Sequence, residues 1–155
     1  MSGDQAFMAQ ALDLALRGRG LTSPNPVVGA LVVEAGAVVG QGYHRRAGEA
    51  HAEVLALAEA GPRARGATLY VTLEPCNHHG RTNPCVEAIL AAGIRRVVIA
   101  VADPNPRVRG GGASALRAAD VEVALGCLEA DARAANRAFF TAMERRRPQD
   151  RKSVV

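Results

Sequence analysis

The chain has 155 residues, 48% hydrophobic and 22% charged, the proportions of one ordinary globular domain able to bury a core without staples. Its net charge of +4 sits in the last eleven residues, "RRRPQDRKSVV", with five cations and one anion, so residues 1–144 sum to zero and imply no basic face for nucleic acid. With three Phe, two Tyr and no Trp, platforms for base stacking are thin as well.

In chain order, Asp4 is placed to cap a helix over residues 5–17, whose Phe7, Met8, Ala11, Leu12, Ala15 and Leu16 recur at helical spacing before Gly18 and Gly20. "SPNP" forces a loop, because each proline drives its predecessor out of the helical region. "VVGALVVE" and "AVVGQGY" are β-branched runs separated by "AG", the signature of a hairpin. "HAEVLALAEAG" reads as a helix ended by Gly61 and Pro62, and "ATLYVTL" as a short buried strand. A polar loop bracketed by Cys76 and Cys85 follows, then a helix over "PCVEAILAAG", with Pro84 suited to its first turn. The strand "RRVVIAVA", the helix "GASALRAAD", the strand "VEVAL" and a single last helix over residues 128–145 complete the series.

Strands three, four and five are linked through helices and are expected to run parallel, while the opening hairpin contributes an antiparallel pair. The expected fold is therefore α/β, a three-layer α/β/α sandwich on a five-stranded mixed sheet. Residues 1–145 form the domain, and residues 146–155 a basic tail or linker stub. No apolar run of about 18 residues exists to span a membrane. "MSGDQAFMAQ" lacks the basic and then apolar order of a signal peptide, which places the chain in the cytoplasm. There the three cysteines suit metal or catalytic use better than disulfides.

Ligand sites in open α/β sheets gather at the carboxyl ends of parallel strands and the helix starts that follow. His51 opens one such helix, Cys76 follows a strand and Cys85 begins the next helix. Zn²⁺ takes imidazole nitrogen and thiolate sulfur in tetrahedral geometry, and three protein ligands leave one position open, as in catalytic sites. The positive end of a helix at Cys85 favours the thiolate. Glu53 stands two residues after His51, which on a helix turns the two side chains about 200° apart. They share a target only if His51 sits at the cap or first position, where the helix prediction puts it. From there Glu53 serves as general acid and base, moving protons from an attacking water to a leaving amine. A purely structural zinc closed by His78 or His79 is the competing reading, and it gives Glu53 no purpose.

His-x-Glu followed by Pro-Cys-x-x-Cys is the signature of zinc deaminases. Here "HAE" and "PC" match, but eight residues separate the cysteines. With that loop, "SPNPVVGALVV", "GYHRRAGEAHAEVLAL", "VTLEPCNHHGRTNPC" and "VADPNPRVRGGG" closely resemble the pyrimidine deaminase domain of the bifunctional riboflavin-biosynthesis deaminase/reductase, over about residues 5–145. The resemblance implies a cytidine deaminase-like fold and hydrolysis of the ring amine of 2,5-diamino-6-ribosylamino-4(3H)-pyrimidinone 5′-phosphate, releasing ammonia and the uracil derivative. It implies zinc on His51, Cys76 and Cys85, proton transfer by Glu53, and a substrate pocket lined by Asn25, His44, Arg81, Asp103 and Asn105. An amide and a carboxylate suit a pyrimidinone edge, and Arg81 offers a fork for phosphate.

Asn83 stands where the family has proline before the second cysteine, a change expected to loosen the turn only slightly. The family's NADPH-dependent reductase domain would follow the last helix, where only residues 146–155 remain, so two readings stay open: a stand-alone deaminase, or a domain of a longer chain, with a reductase in cis or in trans; self-association is expected by analogy with the superfamily. Two other classes are weighed against this one. A deaminase of tRNA adenosine or a free nucleobase would show the short cysteine spacing, and RNA a basic body. A non-enzymatic zinc-stabilised module would not require Glu53. Cys127 is expected to be a small buried hydrophobe; "GGG" alone commonly marks only a flexible turn, while "RVRGGGAS", leading into a helix start, offers a second anion site. Arg107 and Arg109 are open between solvent and substrate.

Overall fold

The computed structural model describes residues 3–18, 26–45, 51–75, 85–104 and 111–144. Its elements are α1 (Gly3–Leu16), β1 (Gly29–Glu34), β2 (Ala37–Tyr43), α2 (Ala52–Ala60), β3 (Thr68–Val71), α3 (Cys85–Ala92), β4 (Arg96–Ile99), α4 (Gly111–Ala118), β5 (Glu122–Leu125), α5 (Glu129–Ala135) and α6 (Arg137–Glu144), with a 3₁₀ turn at Gly61–Ala64. One mixed sheet runs in the order β2-β1-β3-β4-β5. β1 is antiparallel to both β2 and β3, whereas β3, β4 and β5 are parallel. The expected five-stranded mixed sheet is observed, with its hairpin closed by Ala35 and Gly36 at φ 49° and 79°. Positive φ at both residues matches the twist of paired strands.

Strand alternation sorts the core into two layers. Ala30, Val32, Leu69, Val71, Val97 and Ile99 face α2, α3 and α4. Leu31, Val33, Tyr70 and Val98 face α1 and the last two helices, which contribute Ala132 and Phe140. Among the described residues no helix is long and apolar enough to cross a membrane.

Two expectations are corrected. Gly3 already lies in α1, so Asp4 occupies the first turn rather than the cap. Its carboxylate instead accepts the Tyr70 hydroxyl at 2.7 Å and two Arg96 nitrogens at 3.0 and 2.7 Å. The last helix is two helices, broken at Asn136 with φ −123° and ψ 35°. Val27 N–H donates to Asn136 Oδ1 at 2.7 Å, and Asn136 Nδ2 donates back to the Val27 carbonyl at 2.8 Å. That exchange gives the backbone of Val27, just ahead of β1, the partners a neighbouring strand would supply.

The placement of α2 is dictated by small residues. Ala52, Ala56 and Ala60 recur every fourth position and are buried. They lie over Gly40 and Gly42 of β2, where a Cβ on Gly40 would run into the Ala56 carbonyl and one on Gly42 would stand 2.7 Å from the Ala52 carbonyl. Helix and strand backbones therefore meet directly.

Candidate active site

β1 runs opposite to β2 and β3, so the carboxyl ends of β2, β3, β4 and β5 share one edge of the sheet. His44 leaves β2 at this edge, Glu74 follows β3 and Asp103 follows β4, while α2, α3 and α4 begin there. His51 is the N-cap of α2, extended at φ −72° and ψ 159°. This conformation frees its ring from the helical spacing and resolves the 200° objection, as the sequence required.

The ligand atoms of His51, Glu53 and Cys85 all lie within 4.8 Å of one another. Nδ1 of His51 faces Cys85 Sγ at 3.2 Å, across 34 positions of sequence. A tetrahedral zinc with ordinary bond lengths would set a ligand nitrogen and sulfur roughly 3.5 Å apart. The donor pair thus fits one ion, and its borderline-soft nitrogen and sulfur chemistry fits zinc. Cys85 is the first residue of α3. It and Glu53 are buried, at 1% and 4% exposure, while His51 is the more open of the three.

His44, buried as well, is held by its own N–H donating to the Val28 carbonyl at 3.0 Å. Its ring meets that of His51 edge-on, with centroids 5.5 Å apart. Asp103 stands at the end of β4, its backbone N–H donating to Glu74 Oε1 at 3.0 Å. The structure therefore brings His51, Glu53, Cys85 and His44 together, with Asp103 on the same edge. Cys76, Asn25, Arg81 and Asn105 lie outside the described residues, as do His78, His79, Arg107, Arg109 and the tail at 146–155.

Cys127 is only partly buried against the α1 side of the core, and burial raises its thiol pKa. It takes no part in the cluster. Two residues at this edge went unread in the sequence. Glu74, an acid inside the apolar run "YVTLEP", is 4% exposed and accepts two backbone N–H groups. Gly112 is more than part of a flexible turn, because a Cβ there would collide with the Pro75 carbonyl. An acid directly after the strand residues and ahead of Pro-Cys was the available signal for the first; the second has none in a run of three glycines.

Residues 1–101 match the family model for the cytidine and deoxycytidylate deaminase zinc-binding region. The riboflavin biosynthesis protein RibD of Aquifex aeolicus is 54% identical over 145 residues, covering 94% of this chain and 41% of that protein. A diaminohydroxyphosphoribosylamino-pyrimidine deaminase of Buchnera aphidicola is 44% identical over 140 residues, covering 90% of this chain and 95% of that one. Among solved structures, Acinetobacter baumannii RibD superposes with a TM-score of 0.90 at 49% identity, over 92% of this chain and 40% of that chain. The chain spans about two fifths of these RibD proteins and nearly all of the Buchnera deaminase. With the His-x-Glu helix start and the facing cysteine in place, these likenesses settle the family: the chain belongs to the cytidine and deoxycytidylate deaminases, in the group of the diaminohydroxyphosphoribosylamino-pyrimidine deaminases.

Proposed function

We propose that this chain is a zinc-dependent hydrolase that deaminates the diaminopyrimidinone ribosyl phosphate of riboflavin biosynthesis. The observation that carries the reading is the convergence of His51, Glu53 and Cys85 within 4.8 Å at the carboxyl edge of the sheet. His51 and Cys85 would hold zinc together with Cys76. When bound, zinc supplies a Lewis acid that lowers the pKa of water enough to provide a nucleophile at neutral pH.

The balance is one water in and one ammonia out. The water oxygen bonds the ring carbon that carries the amine, and that C–N bond breaks. Glu53 receives a proton from the water on a carboxylate oxygen and delivers it to the departing nitrogen. Burial of Glu53 keeps bulk water from competing for that proton. His44, edge-on to His51, flanks the position of the ring. Asp103, with Asn25 and Asn105, reads the pyrimidinone edge, and Arg81 takes the phosphate.

A tRNA adenosine deaminase is disfavoured by the neutral sum of residues 1–144. A reductase in cis or in trans, and self-association, complete the proposal. The test is ammonia release from the named substrate by zinc-loaded protein, followed with formation of the uracil product. Absence of ammonia from protein carrying one zinc per chain would reject this substrate in favour of another amine.

A further inference from the structure

Glu74 lies where three segments meet. Its own N–H donates to the Val101 carbonyl at 3.0 Å, joining the end of β3 to the end of β4. One carboxylate oxygen accepts the N–H of Asp103 at 3.0 Å, and the other accepts the N–H of Ala113 at 3.0 Å, in the first turn of α4. Gly112 allows this approach, since a Cβ there would meet the Pro75 carbonyl and would come within 3.3 Å of Glu74 Cγ. A single buried carboxylate thus joins the stretch after β4, at Asp103, to the first turn of α4, at Ala113. In sequence the same residue stands two positions ahead of Cys76.

We propose that Glu74 is a positioning residue for substrate binding, setting Asp103 and the first turn of α4 against the strand that leads to the metal ligands. The inference rests on the deaminase reading, in which Asp103 contacts the pyrimidinone. Only a carboxylate supplies an acceptor to each N–H. A glutamine retains one oxygen and turns an NH₂ group toward the other donor, leaving one backbone N–H unsatisfied in a buried place.

Glu74→Gln is compared with the unaltered full chain in three measurements: zinc per chain, backbone amide exchange at Asp103 and Ala113 by NMR, and steady-state deamination. The proposal expects full zinc content, faster exchange at one or both amides, and KM raised roughly tenfold with kcat changed by less than about threefold. Unchanged KM with a fall in kcat or in zinc content would overturn it, making Glu74 a support of the metal loop alone. Unaltered exchange at both amides would overturn it as well, whatever the kinetics. If the unaltered chain releases no ammonia, the deaminase reading fails and the positioning role for this substrate fails with it, while the exchange data still decide whether Glu74 holds Asp103 and Ala113. Glu74→Asp, which keeps the carboxylate but is one methylene too short to reach both donors, replaces the glutamine variant if that one does not fold, with the same expected outcomes.

Discussion

Asn136 and Val27, 109 residues apart, exchange two hydrogen bonds through a side-chain amide and a backbone peptide unit, at 2.7 and 2.8 Å. The break between α5 and α6 exists to bring that amide to the start of β1. Asn136→Ala leaves both Val27 groups without these partners in a partly buried place, and is expected to cost about 1–3 kcal/mol. Asn136→Asp keeps an acceptor for the N–H but sets an oxygen against the Val27 carbonyl, and should be destabilising too. Urea denaturation of the three proteins checks this. Equal midpoints would mean that water satisfies Val27 just as well.

Replacing Glu53 with Gln removes the proton carrier while preserving size and burial. General acid–base catalysis contributes about 10²–10⁴-fold, so kcat should fall by that order. Zinc content and thermal midpoint should stay within error of the unaltered protein. Turnover that survives the change would show that another group moves the proton.

Cys85→Ser exchanges a thiolate donor for a hydroxyl that holds zinc poorly. Changes to groups behind the ligands already cost about 10–100-fold in metal affinity, so loss of the ligand itself should cost at least that much. The variant should purify with far less than one zinc per chain and be inactive. Because binding to the folded state stabilises it, chelation should lower the midpoint of the unaltered protein more than that of the variant. Equal zinc content in the two proteins would rule out Cys85 as a ligand.

Asp4 provides a pH test far from the chemistry. The Arg96 guanidinium, with the Tyr70 hydroxyl, pulls the Asp4 carboxyl down from 3.8 to about 2. Burial, and then its hydrogen bond to the Asp4 carboxylate, push the Tyr70 hydroxyl up to about 12. A depressed carboxylate stabilises the fold fully above its unfolded pKa and loses that contribution as pH falls through its folded one. The stability gap between the unaltered protein and Asp4→Asn should therefore close between about pH 5 and about pH 2. Asp4 is 34% exposed and Arg96 24%, so the gap is modest and should shrink with added salt. A gap independent of pH in that window would assign the effect to packing of Phe7 on Tyr70 instead.

The element order and the mixed sheet were legible because each segment carries its own signal, a continuous β-branched apolar run in "ALVVE" and a helical period in "HAEVLALAEAG". The cluster of His51, Glu53 and Cys85 was legible for a related reason: His51 and Glu53 are neighbours whose shared aim follows from a helix start alone. What escaped depends on distant partners. Asp4 has the pattern of a cap, and only the fold brings Arg96, 92 positions away, to claim it. Asn136 carries a weak local bias against a helix interior, but nothing near it names Val27. Glu74 is claimed by α4 through the N–H of Ala113, 39 positions on. Of the residues expected to contact substrate, His44 and Asp103 lie among the described residues, at the same sheet edge as His51.

The alanine face of α2 and the glycines of β2 bear on how this active site can change. Most helices rest on a sheet through a cushion of branched side chains, which successive substitutions can thicken or thin and so slide the helix by fractions of an ångström. Under Ala52 and Ala56 there is no such cushion. The histidine and the acid are carried on a bearing with no shim in it, and a library of core variants has nothing there to adjust. Altered substrate preference in this scaffold should accumulate in the strand-to-helix connections, leaving His51 and Glu53 where the hairpin puts them.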